Sequence, residues 1–322
     1  MKNVIVLGAT GGTGAAITKE LLNRGIKTIA FGRSIEKLQL LKENLGNSAL
    51  LTLKSGNAFN HNSICDAAKD VDVIFQCVAV PYEEMQHSQI PLGKAVMTAA
   101  DKLKKKIVFV DGIYPYGRAK TPIVDEEHPK NPHTKKGKIK LKLEELIFSK
   151  DWAKAHPMVI RLPDYYGPTA NFNSYLGMTM VNIAQGKISS YIGSLSIPRE
   201  YIYLPDAANM IIELALENEA YGQNWNIPGN IITGKRLIQI AQSAAGKAAP
   251  VIPLTRNTLR MIGIFSPVMR EMVEMSYLTE TPVYLDGSKY KKKIGPLTQT
   301  SFEVGILETI RVNQKTLNKL IF

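Results

Sequence analysis

Apolar residues cluster in short runs along the first 110 positions, 4–7, 28–31, 49–53, 71–78 and 107–110, interrupted only by Thr28, Thr52, Asp72 and Gln76. Runs of that length and continuity predict strands buried on both faces. Between them lie amphipathic stretches with helical spacing, over 14–24, 35–45, 64–69 and 91–103. The 14–24 stretch carries Ala15, Ala16, Ile17, Leu21 and Leu22, and the 35–45 stretch carries Leu38, Leu41 and Leu45. Alternation of buried strand and amphipathic helix predicts a parallel sheet covered by helices. Right-handed crossovers then give an α/β fold, a Rossmann-type doubly wound open sheet. After Val110 the pattern loosens into a long loop over 111–135, rich in Pro, Gly, His and charge. A helix over 136–149, a strand over 158–162, a helix over 175–185, a helix beginning near Asp206 and a strand over 224–227 follow. Asp206 fits a helix N-cap, since its carboxylate can accept a free backbone N–H.

This organisation sets a regular alternating N-terminal part against a looser, mixed C-terminal part. The chain is 322 residues long, enough for one to two domains with a proper core. Its two cysteines, Cys65 and Cys77, cannot make a disulfide framework and lack the spacing of a zinc site. The five histidines are scattered, so no metal is expected. No run approaches the roughly 20 apolar residues of a membrane span, and no secretory leader is evident. The expectation is a cytoplasmic protein with no membrane partner. The net charge is +12, but 30 of the 40 basic residues are Lys, a solvated surface residue by default. Without a recognition motif or aromatic platform, no nucleic acid is expected as a partner. A small-molecule substrate is.

The strongest chemical signal is Gly8-Ala9-Thr10-Gly11-Gly12-Thr13-Gly14, placed directly after the first strand and opening the first helix. Missing Cβ atoms at Gly8, Gly11 and Gly14 permit a tight turn and close approach of backbone to a pyrophosphate. The helix N-terminus offers its N–H groups to the phosphates. Gly8, Thr10, Gly11, Gly12, Thr13 and Gly14 are therefore cofactor-binding candidates. The second strand ends in Phe31-Gly32-Arg33-Ser34, where an acid would bind the ribose 2′-hydroxyl of NAD. Arg33 instead suits a 2′-phosphate, with Ser34 as a further donor, so NADP is expected before NAD.

Taken together, these motifs resemble the short-chain dehydrogenase/reductase superfamily, and most closely its extended and atypical branch, which includes the NAD-dependent epimerase/dehydratase family. The likeness extends to Asn57 after the third strand, Cys77 to Pro81 after the fourth, and Tyr116-Gly117 after the fifth. It continues in Arg161-Leu162-Pro163-Asp164-Tyr165-Tyr166-Gly167-Pro168 and Tyr203-Leu204-Pro205-Asp206. The resemblance adds Asn57, Val78, Ala79, Val80 and Pro163 as cofactor contacts. It also makes a homodimer one expectation, and it implies a dinucleotide-binding domain of residues 1–165 with about 200–225 and a smaller mixed C-terminal substrate lid of residues 166–199 and 226–322. The family's chemistry uses a Ser or Thr, a Tyr and, four residues later, a Lys that holds the nicotinamide ribose. Glu144 matches the Glu that follows that Lys, which places Lys140 at the Lys position and Lys136 at the Tyr position. Gly112 then falls at the Ser/Thr position.

Two of three catalytic groups are thus missing from the resemblance. A lysine replaces a tyrosine only where burial or a neighbouring cation disfavours its ammonium. Lys136 and Lys140, one helical turn apart, allow such coupling. Alternatively, Glu144 pairs with Lys140 across one turn. Tyr114 and Asp111, at the exit of the fifth strand, are further candidates, because ligands bind at the carboxyl ends of the strands. Tyr82, Asp164 and Tyr165 are candidates for the substrate side. The implied activity is hydride transfer between NADP(H) and a small organic carbonyl, alcohol or conjugated C=C compound. A nucleotide-sugar epimerase or dehydratase, and a non-catalytic NADP(H)-binding redox sensor, stand as alternatives.

Overall fold

The computed structural model describes residues 1–172 and 174–318. Strands β1 (Asn3–Leu7), β2 (Lys27–Gly32), β3 (Leu51–Ser55), β4 (Val73–Gln76) and β5 (Lys106–Gly112) alternate with helices α1 (Gly12–Asn23), α2 (Ile35–Asn44), α3 (His61–Ala68) and α4 (Met85–Leu103). After a short β6 (Ile123–Val124) come α5 (Lys135–Ile147), β7 (His156–Leu162) and β8 (Asp164–Tyr166). The chain continues with α6 (Gly177–Gln185), β9 (Ser189–Ile192), β10 (Pro198–Tyr203), α7 (Leu204–Leu216), β11 (Asn224–Asn226) and β12 (Asn230–Thr233). It closes with α8 (Gly234–Ala245), β13 (Val251–Leu254), α9 (Arg256–Ile262), α10 (Pro267–Met275), α11 (Tyr277–Glu280), β14 (Tyr284–Leu285), α12 (Ser288–Lys293) and α13 (Phe302–Asn318).

Seven strands form one parallel sheet in the order β11-β7-β5-β4-β1-β2-β3. Order reverses beside β1, where the chain leaves β3 on one side and returns as β4 on the other. β1 shows why this sheet is buried twice. Val4 and Val6 face a core with Ile17 and Leu21 of α1 and Ile211 and Leu214 of α7. Ile5 and Leu7 point the opposite way, into a core with Ile64, Leu92, Val96 and Leu143. Alternation of side chains along a strand lets an unbroken apolar run serve both layers.

A third core, with Tyr166, Leu176, Met180, Tyr191, Tyr201 and Leu237, joins α6, α8 and α13 to the three-stranded sheet β12-β10-β8. Two small parallel pairs, β13 with β9 and β14 with β6, complete the strand pairing.

Several boundaries differ from the sequence pattern for local reasons. β3 starts at Leu51 because the Leu51 N–H turns back to the Ser48 carbonyl, while the Leu50 carbonyl already accepts from Thr28. α4 begins at Met85, with Pro91 inside it rather than at its start. Buried Met85 and Gln89 anchor that extra turn and more. Asp206 is not an N-cap. It lies inside the first turn of α7, and its carboxylate accepts from the Thr300 N–H at 2.6 Å and the Thr300 hydroxyl at 2.8 Å. The acid thus clasps the C-terminal segment to α7. The loop over 111–135 also carries structure, a 3-10 turn at Tyr114–Tyr116 and the strand β6.

Candidate functional site

β1 delivers the chain to the point where the sheet order reverses, and the glycine loop sits there. Gly8 has φ +76°, and a Cβ on it would lie 2.8 Å from the Val78 nitrogen at the end of β4. A Cβ on Gly14 would lie 2.2 Å from the Gly8 carbonyl oxygen. Both positions therefore require glycine on contact distance alone. Gly11 caps α1 without any side-chain acceptor, whereas Ser34, Asn60, Thr134 and Thr233 cap α2, α3, α5 and α8. The first N–H groups of α1 are left to an external acceptor.

Thr10 is exposed and Thr13 half-buried on this loop. The 169–171 backbone closes over the loop, since a Cβ on Gly12 would be 3.1 Å from the Thr169 carbonyl. The Thr169 hydroxyl is buried there without a hydrogen-bond partner. Val78 is half-buried, Ala79 exposed and Val80 buried along the β4 exit, and Pro163 is buried between β7 and β8.

Further along the sheet edge, Arg33 is exposed at the end of β2. Ser34 is occupied as the cap of α2, accepting from the Lys37 N–H and donating to Glu36 at 2.6 Å. Asn57 is exposed, and its side-chain oxygen accepts from the Phe59 N–H at 3.0 Å. Gly56 beside it has no room for a Cβ, because the Phe31 ring would be 2.4 Å away.

The carboxyl end of β5 gathers charge. The Lys140 ammonium donates to Asp111 at 2.6 Å, joining α5 to the strand end. Lys140 pairs with this acid and not with Glu144, which overturns the pairing across one helical turn. Glu144 instead accepts from the fully buried Arg161, from Lys130 and from Asn224. Arg161 also donates to the Gly112 carbonyl at 2.9 Å. Gly112 brings no hydroxyl to the site, although a Cβ there would meet only the Tyr114 ring, at 3.9 Å.

Lys136 is 3% exposed, and its ammonium bonds two carboxylates of α10, Glu271 and Glu274, the latter at 2.8 Å. Coupling to a neighbouring cation is not what the structure shows for this side chain. Its position lies 5.5 Å from the centroid of the Tyr82 ring.

Tyr82 and Tyr114 share a hydrogen bond between their hydroxyls. Tyr82 stands after β4 and Tyr114 after β5, so the pair bridges adjacent strand ends. Burial pushes both hydroxyls well above the ordinary tyrosine range, and for each a neighbouring tyrosine, Tyr114 beside Tyr82 and Tyr175 beside Tyr114, adds to the push. Tyr175 also interacts with Tyr82 through its hydroxyl. Asp164, raised by burial, pairs with Arg199 of β10. The Arg199 guanidinium lies 5.5 Å from the Tyr175 ring centroid and 5.2 Å from that of Tyr201. Tyr165 packs against the core shared by α1 and α7, and burial raises its hydroxyl as well. Cys77 is a free thiol that burial pushes up to about 12.

A family model for the NAD dependent epimerase/dehydratase family matches residues 4–228. The chain belongs to this family. Solved structures agree on the fold over the whole length. UDP-glucuronic acid 4-epimerase from Bacillus cereus, in complex with NAD, superposes with TM-score 0.78 at 16% identity, covering 98% of this chain and 99% of that one. UDP-glucose 4-epimerase from Bifidobacterium longum, in complex with NAD+ and UDP, gives TM-score 0.78 at 17% identity, covering 100% of both. Farnesol dehydrogenase from Aedes aegypti is 36% identical over 72 residues. That match spans 22% of this chain and about a quarter of the relative, 26%.

For an epimerase/dehydratase family member, the residues present fit a nicotinamide dinucleotide. The cradle at Gly8 and Gly14, the uncapped α1 and the orphaned Thr169 hydroxyl are the features a pyrophosphate would use. The sequence pattern did not single out Thr169, Tyr175 or Arg199, and in it Glu271 and Glu274 read only as the solvated face of an amphipathic helix segment over 271–275. Thr169 directly follows the Tyr-Gly-Pro segment, which was a usable signal. Tyr175 and Arg199 come from C-terminal elements whose packing has no periodic signature.

Proposed function

We propose that this protein is an NADP(H)-dependent reductase of the atypical extended type, acting on a small organic carbonyl or conjugated C=C substrate, with Tyr114 as its proton donor. The hydroxyl pair Tyr82–Tyr114 carries the proposal. Both groups are held in the neutral form by burial, so Tyr114 carries a proton that it gives up only as the substrate oxygen becomes the stronger base.

A bound nicotinamide dinucleotide would supply a hydride to the substrate. The Tyr114 hydroxyl donates its proton to the substrate oxygen as negative charge develops there. Tyr82 then donates a hydrogen bond to the Tyr114 oxygen, and Tyr175 extends the chain behind it. Lys140, whose ammonium donates to Asp111, holds the nicotinamide ribose in this reading. Arg33 takes the 2′-phosphate that distinguishes NADP from NAD. Thr10, Gly11, Gly12 and Thr13 hold the pyrophosphate, and Asp164 and Tyr165 flank the substrate.

A nucleotide-sugar epimerase or dehydratase is the second reading, supported by the full-length likeness to UDP-sugar enzymes. Such chemistry opens by deprotonating a sugar hydroxyl, which calls for a base. Neutral tyrosines and a Lys136 held by two carboxylates do not provide one.

Purified protein incubated with NADPH and a panel of aldehydes, ketones and enones tests the choice. Consumption of NADPH supports the reductase reading. Isomer formation from UDP-glucose or UDP-glucuronic acid, without net cofactor consumption, overturns it in favour of the sugar reading. Tight NADPH binding with no turnover of either group overturns both and leaves a cofactor-binding sensor.

A further inference from the structure

The hairpin of α9 and α10 has one buried side and one bare tip. Leu259 and Met275 are buried at 1% and 0% exposure. Glu271 and Glu274 reach inward to Lys136. The tip does the opposite. Phe265 is 90% exposed, Met261 71%, Ile264 69%, Val268 44% and Ile262 38%. Isolated exposed apolar residues are ordinary on a protein surface, but five within eight consecutive positions form a contiguous patch that marks an interaction site.

The charge around the patch identifies its partner. Residues 255–270 contain Arg256, Arg260 and Arg270 and no acid; Arg256 pairs with Glu280, and the acids that follow, Glu271 and Glu274, are paired with Lys136, which leaves Arg260 and Arg270 at the tip. Arg260 and Arg270 line a hollow of about 450 Å³ with Gly263, Ile264 and Val273. Arg270 is pinned there by donating to the Gly263 carbonyl at 3.1 Å. An apolar tip rimmed by guanidinium groups matches the boundary of an anionic bilayer. Rings and alkyl chains enter the acyl region while arginines meet the phosphates. A second copy of the chain is the poorer match, since twofold contact would set these arginines against each other.

We propose that the α9–α10 tip docks this protein on anionic phospholipid membranes, with Ile264 and Phe265 inserted and Arg260 and Arg270 on lipid phosphates. Among the described residues no helix is long and apolar enough to cross a membrane. Docking of this kind needs no span, so the expectation of no membrane partner, built on the absence of one, does not bear on it. The proposal rests on the tip alone and is independent of the reaction above.

Co-sedimentation with vesicles tests it, using mixed phosphatidylglycerol and phosphatidylcholine against phosphatidylcholine alone. The full chain is expected to partition onto the anionic vesicles at least tenfold more strongly, and less so as salt rises. The double variant I264S/F265S should lose roughly tenfold or more of that partitioning. Arg260→Gln should lose roughly fivefold, the usual contribution of one basic residue near such a surface. All altered side chains are at the surface, and unchanged thermal melting would show the fold is kept. Equal partitioning onto both vesicle types overturns the proposal. Wild-type binding by I264S/F265S also overturns it, because scattered lysines would then be responsible. A concentration-dependent dimer lost in I264S/F265S, with no vesicle binding by the wild type, overturns it in favour of a contact between copies.

Discussion

The Lys136 ammonium lies 2.8 Å from the Glu274 carboxylate, 138 positions further along the chain. This pair, with Glu271 beside it, ties the start of α5 to α10. Lys136 therefore acts as a clamp between α5 and the C-terminal helix α10. Lys136→Met should release α10. The expected result is a raised KM, little change in kcat and faster proteolysis within residues 256–275. A kcat loss of roughly a hundredfold with unchanged KM would mark Lys136 as a proton donor instead.

Arg33 is exposed at the end of β2, where a ribose phosphate would lie. Arg33→Ala should weaken NADPH roughly tenfold or more and leave NADH nearly unchanged, as loss of a charge-assisted contact does. Separate titrations of the two cofactors read this directly. A wild type that prefers NADH, with a ratio unmoved in the variant, would remove the role given to Arg33.

The Rossmann half was legible because its signals are local. A run such as Val4 to Leu7 announces a doubly buried strand, and Gly8 to Gly14 announces a turn no other residue type can make. The corner at the ends of β4 and β5 was legible only in part. Tyr82 and Tyr114 could be placed because each follows a strand, and Asp111 because it lies in the last residues of one. That Lys140 chooses Asp111 over Glu144 depends on Arg161, buried and holding Glu144 from another strand. Helical spacing cannot reveal such competition. Nor could it show that Glu271 and Glu274, which read as a solvated face of an amphipathic helix, turn inward to a buried lysine.

Buried charge makes Glu144 a stability determinant. It is the carboxylate partner of Arg161, which is wholly inaccessible. Glu144→Ala leaves that guanidinium partly unpaired in the interior and should cost about 3–5 kcal/mol in urea unfolding. A loss under about 1 kcal/mol would mean that water or Asp111, 3.8 Å away, compensates.

Glu200 predicts a pH dependence of stability. Burial raises its carboxyl to about 8, outweighing the two backbone N–H groups it accepts from Gly229 and Leu285. The folded state then holds a proton that the unfolded state, with an ordinary glutamate near 4.5, has already lost. Its contribution is fully present below about 4.5 and is lost as pH rises toward about 8. Glu200→Gln removes this titration. The stability of the wild type relative to Glu200→Gln should therefore fall across that window. A flat difference would contradict the assignment.

The most direct measurement is the single-turnover rate of NADPH oxidation by wild type and Tyr114→Phe, with one substrate found in the carbonyl and enone panel. The account predicts a loss of roughly a hundredfold or more in Tyr114→Phe, with NADPH affinity unchanged. In the wild type it predicts a rate that stays flat through neutral pH and falls only above the ordinary tyrosine range near about 10. Equal rates in the two proteins would contradict it.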